Sequence, residues 1–214
     1  MRALVVGSGV YASLDPALVI PVKVYTRKGD DGTTGLLYGG RVAKDSPVIE
    51  ANGAVDEAQA ALGMVRAEVE RRSELDALLV RVEYELYVLM ADLATGETNR
   101  AKLTPGVSLV TADMVTALEP VIDQLTGRFP PLKDFVIPGH DRVSAALDVA
   151  RTAIRRAERL VIGAALVDSS AGAYLNRLSD LVWVMARWQE HGDALLSRQA
   201  GTQTPQAGTT WNDG

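Results

Sequence analysis

The run Arg151-Thr-Ala-Ile-Arg-Arg-Ala-Glu-Arg159 crowds four arginines and one glutamate into nine residues. Ala150, Ile154, Ala157 and Val161 recur through it at steps of three and four, the spacing of an apolar helical stripe that faces a core. On the same helix Arg151, Arg155, Glu158 and Arg159 fall at i, i+4, i+7 and i+8 and line a neighbouring face. Guanidinium groups this close repel one another unless an anion or several carboxylates sit among them, and Glu158 can serve only one. Two readings stand at this point. One is a solvated basic face, the usual fate of a charge run. The other is a polyphosphate clamp, because the guanidinium fork matches phosphate oxygens bidentately.

The remaining composition narrows the function classes. A chain of 214 residues suits one domain with a substantial core. Aromatic residues make up only 5% against 47% apolar residues, a balance that favours packed helices over a sheet sandwich. Without cysteine there is no disulfide, thiolate metal site or cysteine nucleophile. His140 and His191 are the only histidines, and neither completes the Glu-x-x-His pattern of a di-iron bundle. No resident metal site is expected. A net charge of −5 argues against general nucleic-acid binding and makes the local basic clusters stand out. No run approaches the ~20 apolar residues of a membrane span, so a soluble, cytoplasmic protein is expected.

In chain order, residues 1–21 read as a flexible extension. Gly7-Ser-Gly-Val-Tyr-Ala12 formally matches a dinucleotide fingerprint, but Pro16 and Pro21 leave no room for the helix that must follow. Next comes a glycine-rich stretch, Val24-Tyr-Thr-Arg-Lys-Gly-Asp-Asp-Gly-Thr-Thr-Gly-Leu36, then Gly39-Gly-Arg-Val-Ala-Lys44. Its glycines free the backbone to wrap a ligand, and its threonines, Arg27, Lys28, Arg41 and Lys44 offer hydroxyls and positive charge. It lacks the Gly-Lys-Ser/Thr of a P-loop. Helical periodicity then predicts helices over about 50–72 and 74–95, a polar loop over 96–110, and a third helix over about 111–126 bent by Pro120. A fourth helix over about 142–166, capped by Asp141 or His140, carries the arginines. A fifth runs to about His191, with Asn176, Arg177, Ser179 and Asp180 on a polar face. The expected fold is an all-α bundle of five helices over 22–192, followed by a disordered Gln/Thr/Gly-rich tail over 193–214.

Three segments together carry a resemblance: Tyr25-Thr-Arg-Lys-Gly-Asp-Asp-Gly-Thr-Thr-Gly-Leu36, Arg151 to Arg159, and Tyr174-Leu-Asn-Arg-Leu-Ser-Asp180. They resemble the signatures of PduO-type ATP:cob(I)alamin adenosyltransferases. Gly53-Ala-Val-Asp-Glu57 and Phe135-Val-Ile-Pro-Gly139 sit where that family has two further motifs. The resemblance spans about residues 22–190. It implies a ferritin-like five-helix bundle, preceded by a glycine-rich ATP-binding segment and assembled as a homotrimer with active sites between subunits. The implied reaction is attack of cob(I)alamin on C5′ of ATP, with Mg2+ on the phosphates, giving adenosylcobalamin and triphosphate.

Carried over by position, the resemblance assigns ATP contacts to Thr26, Arg27, Lys28, Gly29, Thr34 and Lys44. It assigns further ATP contacts to Arg155, Arg156, Glu158, Arg159 and Asn176. Asp56 and Arg151 match a pair that bridges subunits. Phe135 matches an aromatic packed under the corrin that keeps the lower ligand off cobalt, and Arg155, Asn176 and Phe135 carry the catalytic roles. A flavin-dependent reductase and an adenosylcobalamin-dependent mutase are the implied protein partners, with neither nucleic acid nor membrane. The chain departs from the pattern at His140-Asp141-Arg142 and at Val182-Trp183. The alternative is an escort or sensor bundle that binds ATP or adenosylcobalamin without turnover.

Overall fold

The computed structural model describes residues 25–166 and 168–203. The extension read over 1–21 lies outside them, as does the end of the tail from 204 onward. Helices dominate, preceded by one small antiparallel hairpin among the described residues, β1 (Thr33–Gly35) and β2 (Arg41–Ala43). The glycine-rich stretch is therefore partly a hairpin. Gly39 and Gly40, at φ +105° and +92°, turn the chain between its strands.

The first helix, α1 (Pro47–Glu68), starts three residues earlier than its periodicity suggests. Ser46 keeps extended backbone ahead of it, and Pro47 takes the first helical position, where a missing N–H costs nothing. Ser73 caps α2 (Glu74–Leu93) by accepting the Asp76 N–H. Arg66 Nε and the Arg72 N–H both donate to the Asp76 carboxylate at 2.8 Å and fasten the α1–α2 turn. The stretch read as a plain loop contains a short 3₁₀ helix over Glu97–Lys102.

The expected third helix is two pieces, α3 (Ala112–Thr116) and α4 (Glu119–Thr126). Pro120 does not bend a continuous helix. It lies in the first turn of α4, where it forfeits no helical hydrogen bond. Asp141, not His140, caps α5 (Arg142–Gly163), in a capping box with Ser144. The last long helix is α6 (Ala171–Gln189).

Helix α5 lies between α1 and α6, while α2 flanks α1, and α3 and α4 flank α6. The stripe Ala150, Ile154, Ala157 and Val161 is buried, joined by Leu147. Leu62, Leu86, Leu89, Leu175 and Leu178 fill the interior around it. Full burial of each such side chain contributes roughly 1.5–3 kcal/mol. This packing turns the arginine-bearing face of α5 outward.

The part of the tail that is described is structured. Val136 forms an antiparallel bridge with Leu196, the Ile137 N–H donates to the Leu195 carbonyl, and α7 (Ser197–Gln203) follows. Composition hid this because the ordering comes from a strand contact made about sixty residues earlier in sequence.

Candidate active site

The hairpin stands against the C-terminal ends of α2 and α5. The Leu37 N–H donates to the Ala94 carbonyl at 2.7 Å, and Leu36, Val42 and Val48 face Leu93 and residues 164–166 across a cleft. Beneath it the fully buried Asp92 accepts from Arg100, the Val110 N–H and the Ser169 hydroxyl, at 2.8, 3.2 and 2.9 Å. One carboxylate thus gathers three loops at the end of the molecule where the hairpin docks.

Within the glycine-rich stretch, Arg41 organises the turn. Its guanidinium donates to the Lys28 carbonyl and to the Thr33 hydroxyl. Asp31 accepts the Thr33 N–H at 2.9 Å and the Thr33 hydroxyl at 2.8 Å. The Thr33 N–H, then its hydroxyl, hold the Asp31 carboxyl below its ordinary value. Gly29 sits in close approach: a Cβ there would stand 3.0 Å from Lys44 Nζ and 3.2 Å from the Thr33 carbonyl oxygen, so the lysine would have to give way. The Lys44 ammonium accordingly lies over the loop that carries Thr26, Arg27 and Lys28. Thr26 accepts from the Lys28 N–H at 3.4 Å, Arg27 takes a left-handed φ of 60°, and Thr34 pairs with Val42 in the hairpin. Thr26, Arg27, Lys28 and Lys44 are exposed. None of these three cations has a carboxylate partner among the described residues; Arg27 lies 5.6 Å from the Tyr25 ring centre.

On the α5–α6 face, Asn176 Nδ2 donates to Glu158 Oε1 at 2.9 Å. This hydrogen bond orients both groups and engages the one acid of the arginine run. Arg156 pairs with Glu57 of α1. Arg155 and Arg159 are exposed, and Arg159 donates to the Arg155 carbonyl at 2.9 Å. Neither guanidinium has a carboxylate partner among the described residues, although Arg151 and Arg156 do. The polar run on α6 divides by role: Arg177 bonds Asp180 and approaches Glu119 of α4, while Asn176 alone of the run meets Glu158.

Nearer the start of α5, the interior holds a second ionic cluster. Arg187 donates to Asp148 at 2.7 Å and to Glu190 at 2.9 Å, with only 2% of its side chain exposed. Arg151 Nε lies 3.4 Å from the other Asp148 oxygen. Burial pushes the Glu190 carboxyl above its ordinary value. Arg151 is thus oriented from inside its own chain. Asp56 is exposed and forms no ion pair with Arg151 within one chain.

Phe135 occupies neither place. The residue is 84% exposed, beside a concavity shared with Leu132, Lys133 and Trp183. Phe129, the other phenylalanine, packs edge-on to Trp183 at 6.5 Å. The contacts Glu158–Asn176 and Asp148–Arg187 show that α5 and α6 run antiparallel, so Trp183 marks a level well away from the hairpin.

The structure therefore joins Lys44 to Gly29, Asn176 to Glu158 and Arg156 to Glu57, while Phe135 stands apart from them. Sequence reasoning missed the Asp92 hub, the Asp148–Arg187–Glu190 cluster and the organising role of Arg41. An arginine set among the buried positions of α6 was the available signal for Arg187. Among the described residues no group of three His, Asp or Glu stands where it could hold a metal ion. No described helix is long and apolar enough to cross a membrane.

Residues 24–189 match the cobalamin adenosyltransferase family model. The chain is 42% identical over 171 residues to a corrinoid adenosyltransferase of Citrobacter freundii, covering 78% of this chain and 95% of that protein. It is 36% identical over 189 residues to a corrinoid adenosyltransferase of Mycobacterium bovis, covering 85% and 96%. Its fold is similar to that of a variant PduO-type ATP:corrinoid adenosyltransferase from Lactobacillus reuteri complexed with cobalamin and ATP. That likeness has a TM-score of 0.74 at 28% identity and covers 82% of this chain and 99% of the other. The hairpin, the arginine-bearing helix and the helix of Asn176 all lie inside the matched region, and the chain belongs to the cobalamin adenosyltransferase family, of the PduO type.

Proposed function

We infer that this protein transfers the 5′-deoxyadenosyl group of ATP to the Co(I) centre of a reduced corrinoid. The cobalt electron pair forms the Co–C bond to C5′ as the C5′–O bond breaks, and triphosphate leaves with that bonding pair. The corrinoid supplies the nucleophile, so the protein's tasks are to orient C5′, stabilise the leaving polyphosphate and exclude water. The observation that carries this reading is the pair Arg155 and Arg159, held outward by the buried stripe of α5 without a carboxylate partner among the described residues. Two such guanidiniums beside an oriented Asn176–Glu158 pair suit a multiply charged anion.

In this account the segment from Thr26 to Lys44 closes over the nucleotide, with Lys44 and the α5 arginines on its phosphates. Asn176 and Glu158 fix its orientation. Mg2+ enters as part of the nucleotide substrate. Phe135 packs beneath the corrin. We count α3 and α4 together as the third member of a five-helix bundle over 22–192. The separation of Phe135 from the arginine face, with Asp56 without an ion pair among the described residues, supports a homotrimer whose sites lie between subunits and whose Asp56 meets the partner's Arg151. Exposed Met64, Tyr84, Tyr87 and Val149 offer apolar surface on α1, α2 and α5 for that assembly. A cytoplasmic setting, a flavin-dependent reductase and an adenosylcobalamin-dependent mutase complete the proposal.

An anaerobic assay with MgATP and chemically reduced cobalamin tests it. The expected outcome is loss of the Co(I) absorbance, growth of the adenosylcobalamin spectrum and one triphosphate per corrinoid. ATP binding without Co–C bond formation would instead identify an escort or sensor.

A further inference from the structure

Phe135 combines a bare side chain with a tethered backbone. Phe135 is 84% exposed and borders a concavity that it shares with Leu132, Val136 and Trp183, so it stands within an apolar patch. Its main chain, by contrast, is fixed on both sides. The Phe135 N–H donates to Asp134 Oδ1 at 2.8 Å, and the Phe135 carbonyl accepts the Ser197 N–H at 2.8 Å. The Ile137 N–H donates to the Leu195 carbonyl at 2.8 Å, and Val136 bridges Leu196. Arg198 Nε lies 3.0 Å from Asp134 Oδ2. The Phe135 N–H, then Ser197, hold the Asp134 carboxyl below its ordinary value. Four consecutive residues, 134 to 137, are thereby tied to four consecutive residues after the last long helix, 195 to 198.

We propose that Asp134 and the 195–198 segment are positioning elements for the adenosyl-transfer reaction, setting the height and direction of the Phe135 ring against the lower face of the corrin. The inference rests on the reading of Phe135 given above. The reason is geometric. An exposed ring on a free loop would sample several rotamers and backbone states, and each must be frozen before it can fill the space below a planar macrocycle. Tying both backbone polar groups of Phe135 removes the backbone part of that freedom in advance. The clamp touches only the Phe135 side of the molecule, so it acts on the corrinoid and not on the nucleotide.

The test is electron paramagnetic resonance of Co(II)cobalamin with MgATP on full-length wild type, Phe135→Ala, Asp134→Ala, Asp134→Asn and Ser197→Pro. Leu196 N–H bonds Gln199 and the Leu196 carbonyl accepts from Ala200, so Ser197 is the first residue of α7, where proline is tolerated. Ser197→Pro therefore removes the N–H donor to Phe135, together with the Ser197 hydroxyl on Asp134, without breaking the helix, and it keeps the test valid if Asp134→Ala folds poorly. The expected result is a four-coordinate Co(II) fraction lowered by about fivefold in Asp134→Ala and Ser197→Pro, the factor for one ordinary hydrogen bond. The KM for ATP should stay unchanged, and Asp134→Asn, which still accepts the Phe135 N–H, should restore the signal. If Phe135→Ala loses the four-coordinate signal while Asp134→Ala and Ser197→Pro keep it, the positioning role is overturned and the reading of Phe135 stands. If Phe135→Ala itself keeps the wild-type signal, that reading falls and the positioning role falls with it.

Discussion

Two arginine clusters on the α5–α6 pair differ in one respect, whether the chain answers their charge. Around Arg187, both carboxylates are inside, and the guanidinium is closed off from solvent. Around Arg155 and Arg159, a turn or two further along α5, the guanidiniums face outward and find no carboxylate among the described residues. The first cluster is part of the fold, because a buried charge left unpaired costs several kcal/mol. The second is stable only because it is solvated, and an anion of matching geometry has something to gain there. Residue type alone does not separate a structural arginine from a binding one; the location of the counter-charge does.

The contrast breaks most visibly at Arg187. Arg187→Ala leaves Glu190 buried without its cation and Asp148 with only the longer Arg151 contact, and should cost about 3–5 kcal/mol of stability, measured by denaturant unfolding. Arg155→Ala should leave the unfolding midpoint unchanged. Equal stability losses in both variants would erase the distinction between the two clusters.

A smaller effect sharpens it through pH. The Arg72 N–H, then Arg66, hold the Asp76 carboxyl below its ordinary value of 3.8. A depressed folded-state value means that its stabilisation is present above the unfolded value and is lost as pH falls through the folded one. Wild type should therefore melt above Asp76→Asn at pH 7, and the gap should close as pH drops below 3.8. A gap that stays constant from neutral pH into that acid range would remove Asp76 from the paired class.

Much of this architecture is legible along the chain, because the signals are local. The apolar stripe of α5 shows in four residues, and the helix start shows in His140-Asp141, of which Asp141 is the cap. What was missed depends on distant partners. Asp148 and Arg187 meet across thirty-nine positions. The 195–197 segment orders against Phe135, which lies far earlier in the chain, so its composition reads as a tail. The hairpin strands are three residues each, too short for an alternating pattern to register. Arg41 looked like one more cation for phosphate until its guanidinium was found bonded to Lys28 and Thr33. The candidate site residues on α5 and α6 were legible as a polar, charged face. Their division into paired and unpaired groups was not, since Glu57 and Glu119 come from other helices.

Arg155 and Arg159 are proposed to hold the leaving triphosphate. Calorimetric titration of wild type, Arg155→Ala and Arg159→Ala with inorganic tripolyphosphate tests it without any corrinoid. Removing one charge-assisted contact of about 1.5–3 kcal/mol should weaken binding by roughly 10- to 100-fold in each variant while the melting temperature stays put. Equal tripolyphosphate affinity in all three proteins would contradict the claim and return the arginine face to a solvated surface.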